Sequence, residues 1–457
     1  MRRIVQSFMM AFAALLLAIP QPPAAQTVPT PSGHFLHLSD IHFDPFADPN
    51  LVRQLLKQPV DQWQAILQSS PLKQPELGPH RDSNFPLLAL TLREAAKTEN
   101  YDYVVLTGDY LSHGFVPQLA SYTSDPAVAR DFTTKTVSFV NLMIAQAFPK
   151  APLIATLGNN DSDCNDYQLT PGADILAPVG ADLPAIAGDP AALADFKAGG
   201  YYLTPHPTVP KVDFVVLSIF WSHKYLNACG NGADPAQAQL AWLSGMLAQE
   251  AASGRKAILL MHIPPGIDGF STYHAKGAKI ATQWTSDGKL LDAFVKLTGQ
   301  YRAQLIGGFA GHTHMDEFRV VADNAPIVAI RVAPSVTPWD GNNPAFTVVD
   351  YDPADGSTLD YSVARYDGGQ FPIEYRFSKA YGLKRYDAAN LATLAQRVLK
   401  DTGTRVSFGE FYATGTPTPA ARAGSWQYFG CALSALRVSA YRSCLGSVNS
   451  GRARSRR

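Results

Sequence analysis

The sequence His37-Leu38-Ser39-Asp40-Ile41-His42 decides the fold, because an apolar run passes there directly into a carboxylate and an imidazole. Residues 35–39 have the short, β-rich composition that predicts a strand. Successive side chains of an extended segment point to opposite sides, so Asp40 and His42 point to the same side. The stretch therefore predicts a strand that ends by presenting two polar side chains to one place.

Four further predicted strands end in the same way. Residues 103–107 run into Gly108-Asp109, 153–156 into Gly158-Asn159-Asn160-Asp161, 257–261 into His262, and 304–306 through Gly307-Gly308 into Gly311-His312-Thr313-His314. The glycines are expected to allow tight turns and close approach of the backbone. In open α/β sheets, ligands bind beyond the carboxyl ends of the strands. We therefore expect five strand ends to converge on one site.

The residue types at these strand ends are those of a transition-metal site, since carboxylate, imidazole and amide oxygen all suit such ions. The predicted ligands are Asp40, His42, Asp109, Asn159, His262, His312 and His314. Each motif alone is common as a turn or as a core histidine, whereas the ordered set is not. Seven ligands are too many for one ion but fit two that share a carboxylate. Two such ions clamp a phosphoryl displacement, with a hydroxide between them as nucleophile.

The rest of the chain predicts an α/β layered fold. Most predicted strands are continuous apolar runs, which indicates sheets buried on both faces, and helices alternate with them. Residues 172–200 are expected to form an insertion or surface loop, and from about residue 376 a helical extension follows. The remaining strands are predicted at 214–219, 327–332 and 346–349, and helices at 86–97, 131–147, 235–251, 290–297 and 388–400.

The composition and the N-terminal residues indicate the class of partner and the cellular location of the protein. Lys+Arg and Asp+Glu both number 38, so no basic field predicts a nucleic acid polymer as partner. Arg2-Arg3, an apolar run at 8–19 and Ala24-Ala25 follow one another as in a secretory signal peptide. Pro23 is not the small residue expected before the cut, which leaves an uncleaved anchor as the alternative. We expect a signal peptide at 1–25, a linker at 26–33, periplasmic or secreted location, and no stable membrane insertion after cleavage.

The four cysteines predict disulfides, because their number is even and the chain is expected to be exported. Three pairings are possible. We favour Cys431–Cys444, which are close in sequence, and this leaves Cys164–Cys229. Buried free thiols are the alternative, and metal ligation is not favoured because no Cys-x-x-Cys pair exists.

The set Asp-x-His, Gly-Asp, Gly-Asn-Asn, His and Gly-His-Thr-His resembles the calcineurin-like metallophosphoesterase superfamily over roughly residues 34–350. The resemblance implies a β-sandwich flanked by helices, with a catalytic domain at 34–375 and a helical C-terminal extension at 376–457. It implies that Asp40, His42 and His314 hold one metal, that Asp109 bridges, and that Asn159, His262 and His312 hold the second. It favours zinc, although iron or manganese fits the same ligands.

A narrower resemblance is to the acid sphingomyelinase-like branch, and an exported bacterial member is the expectation. It rests on residues 37–44, on Thr107-Gly108-Asp109 with His113 four residues later, on His262-Ile263-Pro264-Pro265-Gly266 and on the cysteine-containing C-terminal extension. In that branch the histidine matching His113 helps the leaving group, which makes His113 the general-acid candidate. The alternative is a histidine on a surface loop.

Two departures from the family pattern bear on the substrate. Asn160, the second catalytic candidate, stands where the family has a catalytic histidine, and its amide can donate a hydrogen bond but cannot give up a proton near neutral pH. Its Gly-Asn-Asn-Asp form is similar to endopolyphosphatase-like relatives, whose phosphate leaving groups need less protonation. Asp161 is expected to orient Asn160 or a ligand, and His274 to enter the site from its loop. About fourteen residues separate Ala25 from Asp40, too few for a saposin-like lipid-lifting domain.

Three functions follow from these residues. The first is an exported phosphodiesterase acting on soluble phosphoesters, such as nucleotides or choline-phosphate compounds, with a small molecule as its partner. The second is an endopolyphosphatase-like hydrolase of phosphoanhydrides, which Asn160 favours. The third is a phosphate-ligand or lipid-binding protein without catalysis, against which the complete ligand set argues.

Overall fold

Two six-stranded sheets form the centre of the computed structural model, which describes residues 32–226, 228–230, 234–422 and 424–455. The strands are β1 (Gly33–Leu38), β2 (Tyr103–Leu106), β3 (Leu153–Ala155), β4 (Tyr202–Pro205), β5 (Val212–Val216), β6 (Lys256–Leu260), β7 (Ile267–Asp268), β8 (Ala281–Thr282), β9 (Leu305–Ala310), β10 (Glu317–Asp323), β11 (Ala325–Val332), β12 (Ala345–Tyr351), β13 (Thr358–Arg365) and β14 (Ile373–Arg376). The first sheet has the order β14-β13-β12-β1-β2-β3 and the second β10-β11-β9-β6-β5-β4, and β7 pairs with β8.

The sheets pack face to face, and their central strands are parallel. β1, β2 and β3 run parallel in the first sheet, as do β5, β6, β9 and β11 in the second. Phe35 on β1 meets Phe309 on β9 with ring centroids 5.2 Å apart, and Tyr103 on β2 meets Phe214 on β5 at 5.7 Å. Because both faces of these strands are covered, their sequences are continuous apolar runs.

Helices surround the sheets, and most of the longer ones begin at an Asp or Asn cap. Asn84, for example, accepts a hydrogen bond from the backbone N–H of Leu87, and Asp234 precedes a proline at the first turn of its helix. The helices are α1 (Val52–Lys57), α2 (Trp63–Ser69), α3 (Phe85–Thr98), α4 (Phe115–Leu119), α5 (Pro126–Ala147), α6 (Leu176–Ala181), α7 (Pro190–Gly199), α8 (Pro235–Ser253), α9 (Gly269–His274), α10 (Lys289–Gln300), α11 (Phe377–Tyr381), α12 (Ala388–Lys400), α13 (Thr402–Tyr412), α14 (Trp426–Ala432) and α15 (Val438–Ser455).

The predicted α/β fold with helices around a β-sandwich is confirmed, with two local corrections. The expected loop at 172–200 contains α6 and α7, and Asp189 with the following Pro190 caps α7. β9 continues through Gly307 and Gly308, so the predicted turn there is wrong. A Cβ on Gly308 would lie 3.3 Å from the carbonyl oxygen of Leu259 on β6. This glycine therefore allows β9 to lie close to β6.

The predicted helical C-terminal region is also confirmed, since α11 to α15 follow β14. Both disulfides form in the favoured pairing, Cys164–Cys229 and Cys431–Cys444. Within the described residues, no helix combines the length and apolar character that a membrane crossing needs. The predicted signal peptide and most of the predicted linker lie outside the described residues, and Gly33, the last predicted linker residue, begins β1.

Candidate metal centre

The carboxyl ends of strands from both sheets bring the seven predicted ligands together around Asp109. Its Oδ2 lies 3.3 Å from Nε2 of His42, which follows β1, and 3.2 Å from Nε2 of His262, which follows β6. Asp109, Asn159, His312 and His314 line a cleft of about 330 Å³. Asp109 therefore lies between imidazoles that follow strands of different sheets.

One cluster of ligand atoms lies on the β1 side of Asp109. His314 Nε2 is 3.4 Å from Oδ1 of Asp40 and 3.2 Å from Nε2 of His42. The backbone N–H of His312 donates to the Asp40 carboxylate, at 3.0 Å from Oδ2. Asp40, His42 and Asp109 each offer one ligand atom within 4.8 Å of the others, a spacing that can hold a metal ion.

A second cluster lies on the other side of Asp109, where His262 and His312 each offer a ring nitrogen within 4.8 Å of its carboxylate. Asn159 joins them, because its Oδ1 is 3.0 Å from Nε2 of His262. The amide of Asn159 is held by Asp166, whose Oδ1 accepts from Nδ2 at 2.7 Å. A carboxylate can only accept, so this contact fixes which end of the amide faces the cluster.

The donor set fits metal ions because the ring nitrogens present lone pairs inward. Nδ1 of His42 lies 2.8 Å from the carbonyl oxygen of Leu111, and Nδ1 of His262 lies 2.7 Å from that of Thr107. A carbonyl oxygen accepts only, so Nδ1 carries the proton in each ring and Nε2 is left as a lone-pair donor. Buried lone pairs and carboxylates directed at one another are stabilised by a cation between them.

The pKa shifts of the site histidines also indicate whether a cation is favoured there. Burial lowers the pKa of His262, but Asp109 and Asp40 together raise it to about 9. Burial also lowers the pKa of His314, and Asp40 with other carboxylates raises it to about 9. Burial beside His113 lowers the pKa of His42 to about 4. The carboxylates thus favour positive charge at His262 and His314, and metal ions would supply it while leaving the imidazoles neutral.

Five of the seven predicted ligands have a backbone conformation that side chains rarely adopt. The φ angles are 49° for Asp40, 45° for His42, 54° for Asp109, 73° for His312 and 61° for His314. Such conformations cost on the order of 1–3 kcal/mol each and persist where the surroundings enforce them. Their concentration at one place indicates that the fold is strained here to aim side chains, which the alternation of a regular strand cannot do.

Two glycines give the ligands room. A Cβ on Gly158 would lie 2.1 Å from Oδ1 of Asp109, and one on Gly311 would lie 1.9 Å from Oγ of Ser39. Neither contact is sterically possible. These positions therefore require glycine because of close approach, as the sequence predicted for the site loops.

Asn160 and Asp161 support Asp109 and its surroundings. The backbone N–H of Asn160 donates to Oδ1 of Asp109 at 2.8 Å, and its side-chain Nδ2 donates to Oδ2 at 3.0 Å. Asp161 accepts from the backbone N–H groups of Gly158, Tyr110 and Leu111. Its contacts are therefore with the two site loops, and not with the Asn160 amide as expected. Burial, with the nearby Asp109 charge, raises the pKa of Asp161 to about 7.

His113 lines the cleft beside the ligands. Its ring stacks between those of His42 and Trp339, with centroids 4.0 Å from each, and its Nδ1 is 2.8 Å from Oδ1 of Asp82. The side chain keeps 25% of its surface exposed. The ring is thus partly buried and lines the cleft, and its role as general acid stays a prediction. His274, by contrast, is exposed at the end of α9 beside Phe270 and is not among the described residues that line the cleft, so that expectation is wrong.

Sequence reasoning missed several residues of this site, namely Asp82, Asp166, Tyr167, Lys224 and Trp339. Only Asp166 carried a usable signal, since it lies seven residues beyond Asn159 on the same loop. The Cys164–Cys229 disulfide joins that loop to the loop that carries Lys224. The walls of the cleft are thus built by contacts between segments distant in sequence.

Comparison with known proteins places these features in a family. The model of the calcineurin-like phosphoesterase family matches residues 33–316. The chain is 27% identical over 446 residues to human acid sphingomyelinase-like phosphodiesterase 3b, covering 90% of each chain. It is 26% identical over 426 residues to mouse cyclic GMP-AMP phosphodiesterase SMPDL3A, covering 87% of each. A dimetal phosphatase from Danio rerio superposes with a TM-score of 0.43 at 12% identity, covering 75% of this chain and 98% of that one.

Proposed function

Because this chain belongs to the calcineurin-like phosphoesterase family, we propose that it is an exported dinuclear phosphodiesterase of soluble phosphoesters, such as nucleotides or choline-phosphate compounds. Its metal dependence and phosphodiesterase class follow from the family and from its acid sphingomyelinase-like relatives. The single observation that supports two ions is the place of Asp109, 3.3 Å and 3.2 Å from imidazoles contributed by different sheets.

In this proposal Asp40, His42 and His314 would hold one ion and Asn159, His262 and His312 the other, with the Asp109 carboxylate available to both. When bound, two divalent ions would supply positive charge to the phosphoryl group and lower the pKa of an attacking water. Zinc is the proposed metal, and the same nitrogen and oxygen ligands accept iron or manganese. Asn160 keeps Asp109 in place through two hydrogen bonds to its carboxylate.

His113 is the proposed donor to the leaving group. It is the described histidine that lines the cleft without belonging to the seven ligands, and a quarter of its side chain is exposed to the cleft. A group that protonates the leaving oxygen contributes typically about 10²–10⁴-fold to the rate. Its contribution is largest for leaving groups that are poor without a proton.

A second candidate function is hydrolysis of phosphoanhydrides, as in an endopolyphosphatase-like enzyme. The amide of Asn160 donates to Asp109 and cannot supply a proton to a leaving group. With one imidazole fewer than the usual family site, the cleft suits leaving groups that depart without protonation. A non-catalytic binding protein is the remaining alternative, and it has no need of seven converging ligands.

Export is proposed from the predicted signal peptide together with the two disulfides, which form in oxidising compartments such as the periplasm or the cell exterior. The soluble class of substrate is proposed because the chain offers a cleft of about 330 Å³. This volume suits a small phosphoester.

The proposal is tested by metal content and activity in the same chromatographic fractions. We expect about two transition-metal ions per chain by plasma mass spectrometry, and hydrolysis of bis(p-nitrophenyl) phosphate that disappears on chelation and returns on reloading. Steady-state comparison with polyphosphate then separates the first two candidates. A reloaded protein that binds one ion or none and is inert on both substrates overturns both enzymatic candidates and favours the binding protein.

A further inference from the structure

Asp82 is a buried carboxylate in the segment before α3, and the proposed function gives it no role. We propose that Asp82 is a positioning residue, which holds the His113 ring in one tautomer and one orientation with Nε2 facing the cleft. This inference rests on the proposed function, because it concerns the residue assigned to the leaving group. It adds to that function a carboxylate–imidazole pair that lies outside the seven ligands.

Asp82 contacts His113 at two points, one on the ring and one on the backbone. Oδ1 of Asp82 lies 2.8 Å from Nδ1 of the ring, and Oδ2 accepts from the backbone N–H of His113 at 2.7 Å. The carboxylate side chain is 5% exposed, so water competes little for either contact. Because an ionised carboxylate only accepts, Nδ1 carries the proton in this pair and Nε2 is the free ring nitrogen.

Ring stacking restrains the tilting of His113 that its contact with Asp82 does not restrain. Asp82 restrains rotation of the ring within its own plane. His42 covers one face, with centroids 4.0 Å apart and planes 17° apart, and Trp339 covers the other, at 4.0 Å and 13°. Tilting of the ring is therefore blocked on both sides, and the position of Nε2 is fixed relative to the metal ligand His42.

The segment around Asp82 is hydrogen-bonded to both neighbours of the ring. The backbone N–H of Ser83 donates to the carbonyl of His42 at 3.0 Å, and that of His80 donates to the carbonyl of Trp339 at 2.9 Å. Thr337 Oγ1 lies 3.3 Å from Oδ1 of Asp82. These hydrogen bonds fix the place of Asp82 relative to the two residues between which His113 stacks.

This pair prepares His113 for one step of the proposed reaction. A water-derived oxygen forms a bond to phosphorus, the bond from phosphorus to the leaving oxygen breaks, and the electron pair of that bond stays with the leaving oxygen. Nε2 of protonated His113 then gives its proton to that oxygen, and the proton lost by the water passes to solvent. The other proton stays on Nδ1 of His113, hydrogen-bonded to Asp82, so the ring donates to the leaving group from Nε2 only.

The isosteric variant Asp82→Asn tests the pair because an amide has one acceptor oxygen and His113 presents two donors. The measurements are kcat and KM for the metal-loaded protein on methyl p-nitrophenyl phosphate, a good leaving group, and methyl phenyl phosphate, a poor one. His113→Ala and the double variant complete the cycle. Asp61→Asn, on the exposed turn before α2, is the matched control.

We expect Asp82→Asn to lower kcat on the phenyl ester by about 30-fold or more and on the p-nitrophenyl ester by about threefold or less, with KM unchanged. The double variant should be no slower than His113→Ala, since the carboxylate acts through the ring. Equal losses on both esters, or losses that multiply in the double variant, overturn the inference and indicate a structural role.

A spectrum independent of turnover decides the tautomer. With ¹⁵N-labelled histidine in the zinc-loaded protein, and with His113→Ala for assignment, we expect a protonated Nδ1 at His113 that changes in Asp82→Asn. An unprotonated Nδ1 overturns the inference even if both esters are hydrolysed. A wild-type protein that is inert on both esters refutes the proposed function, and the same spectrum then still decides whether Asp82 positions the ring.

Discussion

The floor and the rim of the cleft are held in different ways. The floor consists of the seven predicted ligands, six of which are buried, and its backbone is fixed at the ends of strands. The rim consists of Asp166, Tyr167, Lys224 and Trp339, which come from loops, and of Phe270 in the short helix α9, which is 52% exposed. Many short contacts hold the floor residues in place, whereas parts of the rim are held by one hydrogen bond or one disulfide.

Substitutions in the floor and in the rim should therefore affect metal binding and turnover differently. A change in the floor removes a charge or a geometry that several groups share, so it should abolish metal binding or turnover. A change in the rim should alter metal affinity or substrate affinity by smaller factors while the floor stays assembled. Four measurements, from the largest expected effect to the smallest, test this division.

The largest effect is expected from Asp109→Asn, which removes one negative charge between the two clusters. We expect fewer than two bound ions per chain and a fall in kcat/KM of about 10³-fold or more, since metal-assisted charge stabilisation is worth several kcal/mol. Plasma mass spectrometry and steady-state kinetics measure both. Asp323→Asn, at the exposed end of β10, is the control. Two tightly bound ions and normal turnover in Asp109→Asn would show that the floor is not the metal centre.

The next effect is expected from Gly158→Ala, which places a Cβ 2.1 Å from Oδ1 of Asp109 without changing any charge. Displacement of that carboxylate should lower kcat by about 10²-fold, and overpacking should destabilise the fold by about 1–3 kcal/mol. Thermal unfolding and kinetics measure the two effects. Gly188→Ala meets nothing within 4 Å and should change neither. Full activity in Gly158→Ala would mean that the floor tolerates displacement.

A smaller effect is expected from Asp166→Asn on the rim. The carboxylate accepts from Nδ2 of Asn159 and so directs the amide oxygen inward, whereas an amide at 166 permits either orientation. We expect metal affinity to fall about tenfold, as when partners of metal ligands are removed, with kcat of the loaded protein nearly unchanged. Titration against a competing chelator measures the affinity, with Asp174→Asn as the exposed control. Unchanged affinity would show that Asn159 needs no partner.

The smallest effect on turnover is expected from replacing Cys164 and Cys229 by serine together. Freeing this part of the rim should raise KM about twofold to fivefold and leave kcat unchanged. The Cys431/Cys444 pair is the matched control, because it joins α14 to α15 away from the cleft and should not change KM. The melting temperature should fall more for the first pair, which closes 65 residues of separation against 13. Equal KM effects would show that the rim does not depend on its disulfide.

The floor could be predicted from sequence because its chemistry is local. Asp40-Ile41-His42 and Gly311-His312-Thr313-His314 each hold their donors within three or four residues, directly after strands that read as apolar runs. The structure brings all seven residues together as the sequence predicted, and their roles as metal ligands stay a prediction. Both disulfides were also predicted, since nearness in sequence decided the first pair.

The errors have physical causes that a single sequence does not display. Strands β10, β13 and β14 pair antiparallel in the outer parts of the sheets, and their mixed apolar and polar residues give no continuous run. Asp82 lies in an Asp-Ser-Asn stretch that is typical of a helix cap, and Asn84 is indeed the cap of α3. Its contact with His113 joins residues 31 positions apart. His274 was misplaced because the direction of α9 depends on tertiary packing.

The left-handed backbone at five floor positions limits how this centre can be altered by laboratory evolution. Glycine, asparagine, aspartate and histidine tolerate that conformation best, and β-branched residues do not. A saturation library at Asp40, His42, Asp109, His312 and His314 should therefore return folded clones mostly with those four residue types. Three of the four are metal donors, so a change of metal preference is reachable by single exchanges that the fold already accepts.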